Sequence, residues 1–130
     1  MNNITSFYIA GINYVDQKHL DVLKIGDNLI IEHEPENPYD AKAIKIFSPD
    51  GNGIGYVPKN KTVELHNYRL AAVPLKITLA NYIPEMPSYK RFLVTVQSDE
   101  KLLSLDENVD QFQQFLPYKN EEENKTKTTK

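Results

Sequence analysis

The stretch that most constrains this chain is Glu34-Pro35-Glu36-Asn37-Pro38-Tyr39-Asp40-Ala41-Lys42-Ala43-Ile44. Pro35 and Pro38 each remove a backbone donor and fix φ, so no regular strand ladder can run through them. Each also pushes the residue before it, Glu34 and Asn37, toward extended geometry. The expected product is a stiff, shaped loop between two strands, Asn28 to His33 and Ala43 to Phe47. Such a loop holds out an amide (Asn37), an aromatic face (Tyr39) and a carboxylate (Asp40) at little entropic cost. The same pattern also describes a plain turn in which Asp40 satisfies its own backbone.

The flanking chain reads as short strands punctuated by turns. Phe7 to Ile12 is β-branched and aromatic and is expected to be the first strand, with Gly11 marking a bulge or a close backbone approach. Asp16 is placed to cap a helix running to Lys24, and Gly26 to end it. Ser48-Pro49-Asp50-Gly51-Asn52-Gly53 is a turn by composition, so Ile54 to Val57 closes a hairpin with Ala43 to Phe47. Lys61 to Leu70 is expected to be helical, although its apolar period is poor. Leu75 to Tyr82 and Tyr89 to Val96 are the last two strands, joined through Pro84 and Pro87. A further helix is expected over 104–115, then a charged tail without a core from Tyr118. The fold class that follows is mainly β: a small barrel or sandwich with two or three short helices. The expected domain limits are residues 1–98, a helical extension over 99–117 and a disordered tail over 118–130.

Charge narrows the choice of partner. Residues 1–97 hold ten Lys/Arg against ten Asp/Glu, and residues 98–130 hold five against eight. A neutral body argues against long tracking along a nucleic-acid backbone, which needs many phosphate contacts. It leaves room for a small site that holds one end or a few nucleotides. The chain has no cysteine, which excludes disulfides, thiolate zinc sites and cysteine nucleophiles. No run approaches the roughly 20 apolar residues that cross a bilayer, and the first residues lack the pattern of a signal peptide. A cytoplasmic protein without membrane contact is expected. His19, His33 and His66 have no metal-ligand spacing and are read as ordinary polar residues, so no metal or cofactor is expected. The glycines at 51, 53 and 55 lie between strands and not before a helix, so they suit a hairpin better than a phosphate cradle. Nothing resembles a nucleophile elbow, and the chain is expected not to be an enzyme.

Three pieces together carry a family resemblance. They are Gly11-Ile12-Asn13-Tyr14, the central Glu34 to Ile44 stretch, and Gly53-Ile54-Gly55-Tyr56-Val57-Pro58. In this order and spacing the chain resembles the HIRAN domain over about residues 5–97, most closely from Asp27 to Lys59. The resemblance implies a six-stranded β-barrel related to OB and SH3-like barrels. It implies binding of single-stranded DNA at a free 3′-hydroxyl end, in repair, replication or defence. HIRAN domains are found on helicase-like fork remodellers and, in bacteria, alone or fused to other domains. A helicase or nuclease partner is therefore a further expectation.

The binding residues implied by the resemblance are Tyr14, Asn37, Tyr39, Asp40, Tyr56 and Lys59. An aromatic between the last two strands joins them in the family, and Tyr82 and Tyr89 are the candidates here. Asn13 and His33 stand where arginines are common, so less charge is available to hold phosphate. The alternative is a protein-interaction module, or an accessory domain with no DNA binding of its own, in which Tyr14, Tyr39 and Tyr56 form an aromatic hot spot.

Overall fold

Alternation along the chain sets the strands. In the computed structural model, which describes residues 1–102, Leu29 and Ile31 are buried while Asn28, Ile30 and Glu32 are exposed. The same period of two runs through Ile44 to Phe47 and through Phe92 to Ser98, as a strand with one face on a core requires. The strands are β1 (Asn2–Tyr8), β2 (Asn28–His33), β3 (Ile44–Phe47), β4 (Gly53–Tyr56), β5 (Lys76–Tyr82) and β6 (Phe92–Ser98). They form one antiparallel sheet in the order β1-β6-β5-β2-β3-β4.

The sheet curls until its two ends meet. Ala10, just past β1, exchanges two backbone hydrogen bonds of 2.9 Å with Tyr56 at the end of β4. Ile9, Ile44, Ile46, Ile54, Val94 and Val96 are fully buried inside the curl. Each such side chain is worth about 1.5–3 kcal/mol relative to exposure, so this interior is the main stabilising term. The mainly β, six-stranded barrel-like architecture is the one expected.

Two helices pack on the sheet, α1 (Gln17–Asp21) and α2 (Lys59–Leu70), along with two 3₁₀ turns, η1 (Ile12–Tyr14) and η2 (Ser88–Lys90). Asp16 caps α1 by accepting from the Lys18 amide at 3.1 Å. On α2 the buried positions include Thr62, Leu65, His66 and Arg69. That is the i, i+3, i+4, i+7 stripe of a helix with one face inward, but three of its four members are polar.

Several element limits differ from expectation. The first strand is residues 2–8 and not 7–12. Its polar start, Asn2 to Ser6, is held by pairing with inner strand β6, which propensity does not register. Gly11 takes φ 75°, which ends extended chain and opens η1. Helix α1 stops at Asp21, so Gly26 (φ 97°) serves the turn into β2 and does not cap the helix. Tyr89 and Lys90 lie in η2, where the Lys90 amide bonds the Pro87 carbonyl, and β6 begins only at Phe92. Past β6, the Leu102 amide donates to the buried Tyr68 hydroxyl at 3.1 Å. The helix expected over 104–115 and the tail expected from residue 118 lie outside the described residues. No helix among the described residues is long and apolar enough to cross a membrane.

Candidate nucleic-acid interface

The proline-bounded loop folds on its own side chains. Asn37 Oδ1 accepts from the amides of Tyr39 (2.9 Å) and Asp40 (3.2 Å). This is the Asx geometry that a short carboxamide imposes on the residues after it. Asp40 Oδ1 then accepts from the Lys42 amide at 2.9 Å. Backbone bonds from Glu34 to Ala43 (2.8 Å) and from Ala43 to Asp40 (3.0 Å) close the base of the loop. With both prolines donating nothing, the polar groups turn inward and the Tyr39 ring is left 91% exposed.

Glu34 ties this loop to the sheet. Its Oε1 accepts from Asn37 Nδ2 at 3.1 Å and from the Tyr56 hydroxyl at 2.8 Å. Burial pushes the Tyr56 phenol above its ordinary pKa of 10.0. The Glu34 hydrogen bond and charge push the same way, and Asn37 opposes them.

The opposite wall comes from the barrel seam. Gly55 sits at φ 140°, and a Cβ there would collide with Ile9 Cγ2 and the Ala10 carbonyl oxygen. Only glycine lets β4 approach the end of β1 this closely. The seam carries the chain through Gly11 into η1, where the Tyr14 ring is 95% exposed.

Between the walls runs an open groove of about 1250 Å³, lined by residues 10, 11, 14, 32–40, 43 and 56–59. It gathers all six residues named from the sequence: Tyr14, Asn37, Tyr39, Asp40, Tyr56 and Lys59. Their roles divide by geometry. Asn37 uses both side-chain polar atoms on the loop, and Tyr56 gives its hydroxyl to Glu34. Tyr14 and Tyr39 offer open ring faces, Asp40 has one carboxylate oxygen on Lys42, and Lys59 is exposed at the first turn of α2. The groove also contains Glu32, Glu34 and Glu36, so carboxylates outnumber lysine.

Neither aromatic candidate from the last loop lines the groove. Tyr82 stacks on Phe92 with centroids 4.7 Å apart, which commits its ring to its own sheet. Tyr89 is 67% exposed on η2, which neighbours η1. Asn13 is exposed on η1. His33 has its Nε2 on the Ala41 carbonyl at 2.8 Å and its ring edge-on to His66, with centroids 4.4 Å apart.

Sequence reasoning missed Glu34 and the buried His66–Arg69 pair behind the loop. The α2 stripe was the available signal: the apolar period fails at Lys61 to Leu70 unless His66 and Arg69 are counted as inward-facing. No local signal pairs Glu34 with Tyr56. Among the described residues, no group of three or more His, Asp or Glu side chains converges as a metal site would.

Comparison with known proteins bears on the family and the fold. The profile of the HIRAN domain matches residues 3–99. A crystal structure of a protein from Lactobacillus plantarum superposes with a TM-score of 0.63 at 17% identity, covering 72% of this chain and 90% of that one. The crystal structure of the HIRAN domain of human HLTF superposes with a TM-score of 0.53 at 18% identity, covering 71% of this chain and 69% of that one. Among curated sequences, the helicase-like transcription factor of Oryctolagus cuniculus is 31% identical over 58 residues. That alignment spans 45% of this chain and 5% of the length of the relative.

Proposed function

Because the chain belongs to the HIRAN domain family, we propose that it is a nucleic-acid-binding module that reads single-stranded DNA at a free 3′-hydroxyl end. The observation that carries this reading is the pair of open rings, Tyr14 at 95% and Tyr39 at 91% exposure, bordering one groove. Large aromatic faces left this open on stiff segments suit stacking on flat, apolar partners. Each stacked base is worth roughly 1–3 kcal/mol whatever its identity.

The remaining groups divide the work. Asp40, with Oδ1 on the Lys42 amide, keeps Oδ2 for the terminal hydroxyl. A 3′-phosphate there would meet Asp40, Glu34 and Glu36, and like charge would reject it. Lys59 holds one backbone phosphate at the start of α2, where no side chain caps the helix amides. Asn37 and Tyr56 act by keeping the loop in shape. The module performs no chemistry of its own and serves repair, replication or defence beside a helicase or nuclease.

The acidic groove favours one second reading, a basic peptide whose lysine or arginine lies over Tyr14 or Tyr39. Fluorescence anisotropy separates the two, with a labelled single-stranded oligonucleotide in one titration and a labelled basic peptide in the other. Saturable binding of the oligonucleotide, lost when both Tyr14 and Tyr39 become alanine, supports the nucleic-acid reading. Binding of the peptide alone overturns it.

A further inference from the structure

Behind the loop lies a polar path that reaches from the core to the groove. Arg69 on α2 is 1% exposed, and its Nε donates to His66 Nδ1 at 3.1 Å. An arginine Nε–H can only donate, so His66 Nδ1 must carry a lone pair. His66 Nε2 therefore bears the proton, and it donates to the Lys42 carbonyl at 3.0 Å. His66 is itself 1% exposed. Its ring meets that of His33 edge-on, and His33 Nε2 bonds the neighbouring Ala41 carbonyl at 2.8 Å. Two consecutive carbonyls, Ala41 and Lys42, are thus gripped directly after Asp40.

We propose that His66, held by Arg69 in its Nε2–H tautomer, is a positioning residue that fixes the Asp40–Lys42 end of the groove loop. The Lys42 amide is the donor that orients the Asp40 carboxylate. Its carbonyl is the acceptor that His66 grips. One peptide segment therefore transmits the burial of α2 to the carboxylate that faces the ligand. Its companion His33 closes the same segment from the β2 side. The front of the loop is held separately, by Glu34 and Tyr56. This inference rests on the reading of the groove as a ligand site only where ligand affinity is concerned; the grip on the loop stands without it.

Two substitutions test it. His66→Leu keeps the bulk and removes both hydrogen bonds. His66→Gln retains a donor for Lys42 and an acceptor for Arg69. Amide hydrogen exchange on the full chain is expected to speed up at Tyr39, Asp40, Lys42 and Ala43 in His66→Leu, with β5 and β6 unchanged, and to return toward the parent rate in His66→Gln. Affinity for a 3′-hydroxyl oligonucleotide is expected to fall about tenfold in His66→Leu, through lost pre-organisation, and to recover in His66→Gln. Unchanged exchange at the loop amides overturns the proposal. If the parent chain binds no oligonucleotide, the proposed function falls, while the exchange still decides the role of His66.

A measurement on the parent protein covers the case in which His66→Leu does not fold. Long-range proton–nitrogen spectra at neutral pH are expected to show His66 Nδ1 unprotonated and Nε2 protonated. The opposite tautomer, or an imidazolium, overturns the proposal.

Discussion

The Tyr56 hydroxyl donates to Glu34 Oε1 at 2.8 Å and joins β4 to the proline-bounded loop across 22 residues of chain. Tyr56→Phe removes this bond and leaves Glu34 with Asn37 alone. A loss of about 1 kcal/mol is expected, read as a lower urea midpoint at unchanged slope. The raised Tyr56 pKa adds a pH signature. The folded phenol keeps its proton when the unfolded one has lost it, so its stabilising contribution is whole below pH 10.0 and disappears as pH rises through the folded value. Urea midpoints across that range should therefore fall more steeply in the parent chain than in Tyr56→Phe.

Gly55 and Gly51 both take positive φ, but only Gly55 faces a wall. A Cβ at Gly51 would meet nothing within 4 Å, whereas at Gly55 it would strike Ile9 and the Ala10 carbonyl. Gly51→Ala should cost about 1–2 kcal/mol for its left-handed backbone alone. Gly55→Ala should cost roughly 2–4 kcal/mol and open the barrel seam. Thermal unfolding of the two variants side by side checks the order.

Tyr14 and Tyr39 contribute almost nothing to the fold, because their rings touch little of it. Alanine at either position is expected to change stability by no more than about 0.5 kcal/mol. Each should weaken oligonucleotide binding by roughly 1–3 kcal/mol, a factor of about 5 to 150. A variant that unfolds as readily as it loses binding contradicts this division.

Much of this was legible in the sequence because the causes are local. Alternating Leu29 and Ile31, or Ile44 and Ile46, write the strands directly. Asn37 and Asp40 build their turn from their own side chains, so the loop can be read from eleven consecutive residues. What escaped depends on pairs distant in sequence. The polar strand Asn2 to Tyr8 exists because β6 lies beside it. His66 and Arg69 look like surface residues until the loop carbonyl and each other are there to satisfy them. Gly26 does not cap α1 because its amide closes onto the distant Leu79 carbonyl, and β6 starts later than expected because the Lys90 amide first closes a 3₁₀ turn on the Pro87 carbonyl.

Salt should matter little. Lys59 is the one lysine among four groove carboxylates in the described residues, so one or two phosphates at most are neutralised. The logarithm of affinity is expected to fall against the logarithm of salt with a slope of about −0.7 to −1.4, and Lys59→Ala should flatten it. A slope several times steeper would place the binding surface elsewhere on the chain.

The proposed function turns on a groove that reads a hydroxyl end. Fluorescence anisotropy with two short labelled single strands, one ending in a 3′-hydroxyl and one in a 3′-phosphate, tests it directly at low and moderate salt. Binding of the hydroxyl end is expected to be about tenfold tighter, and Asp40→Ala is expected to diminish that preference more than it diminishes total binding. Equal binding of both ends, or none at high micromolar protein, would contradict it.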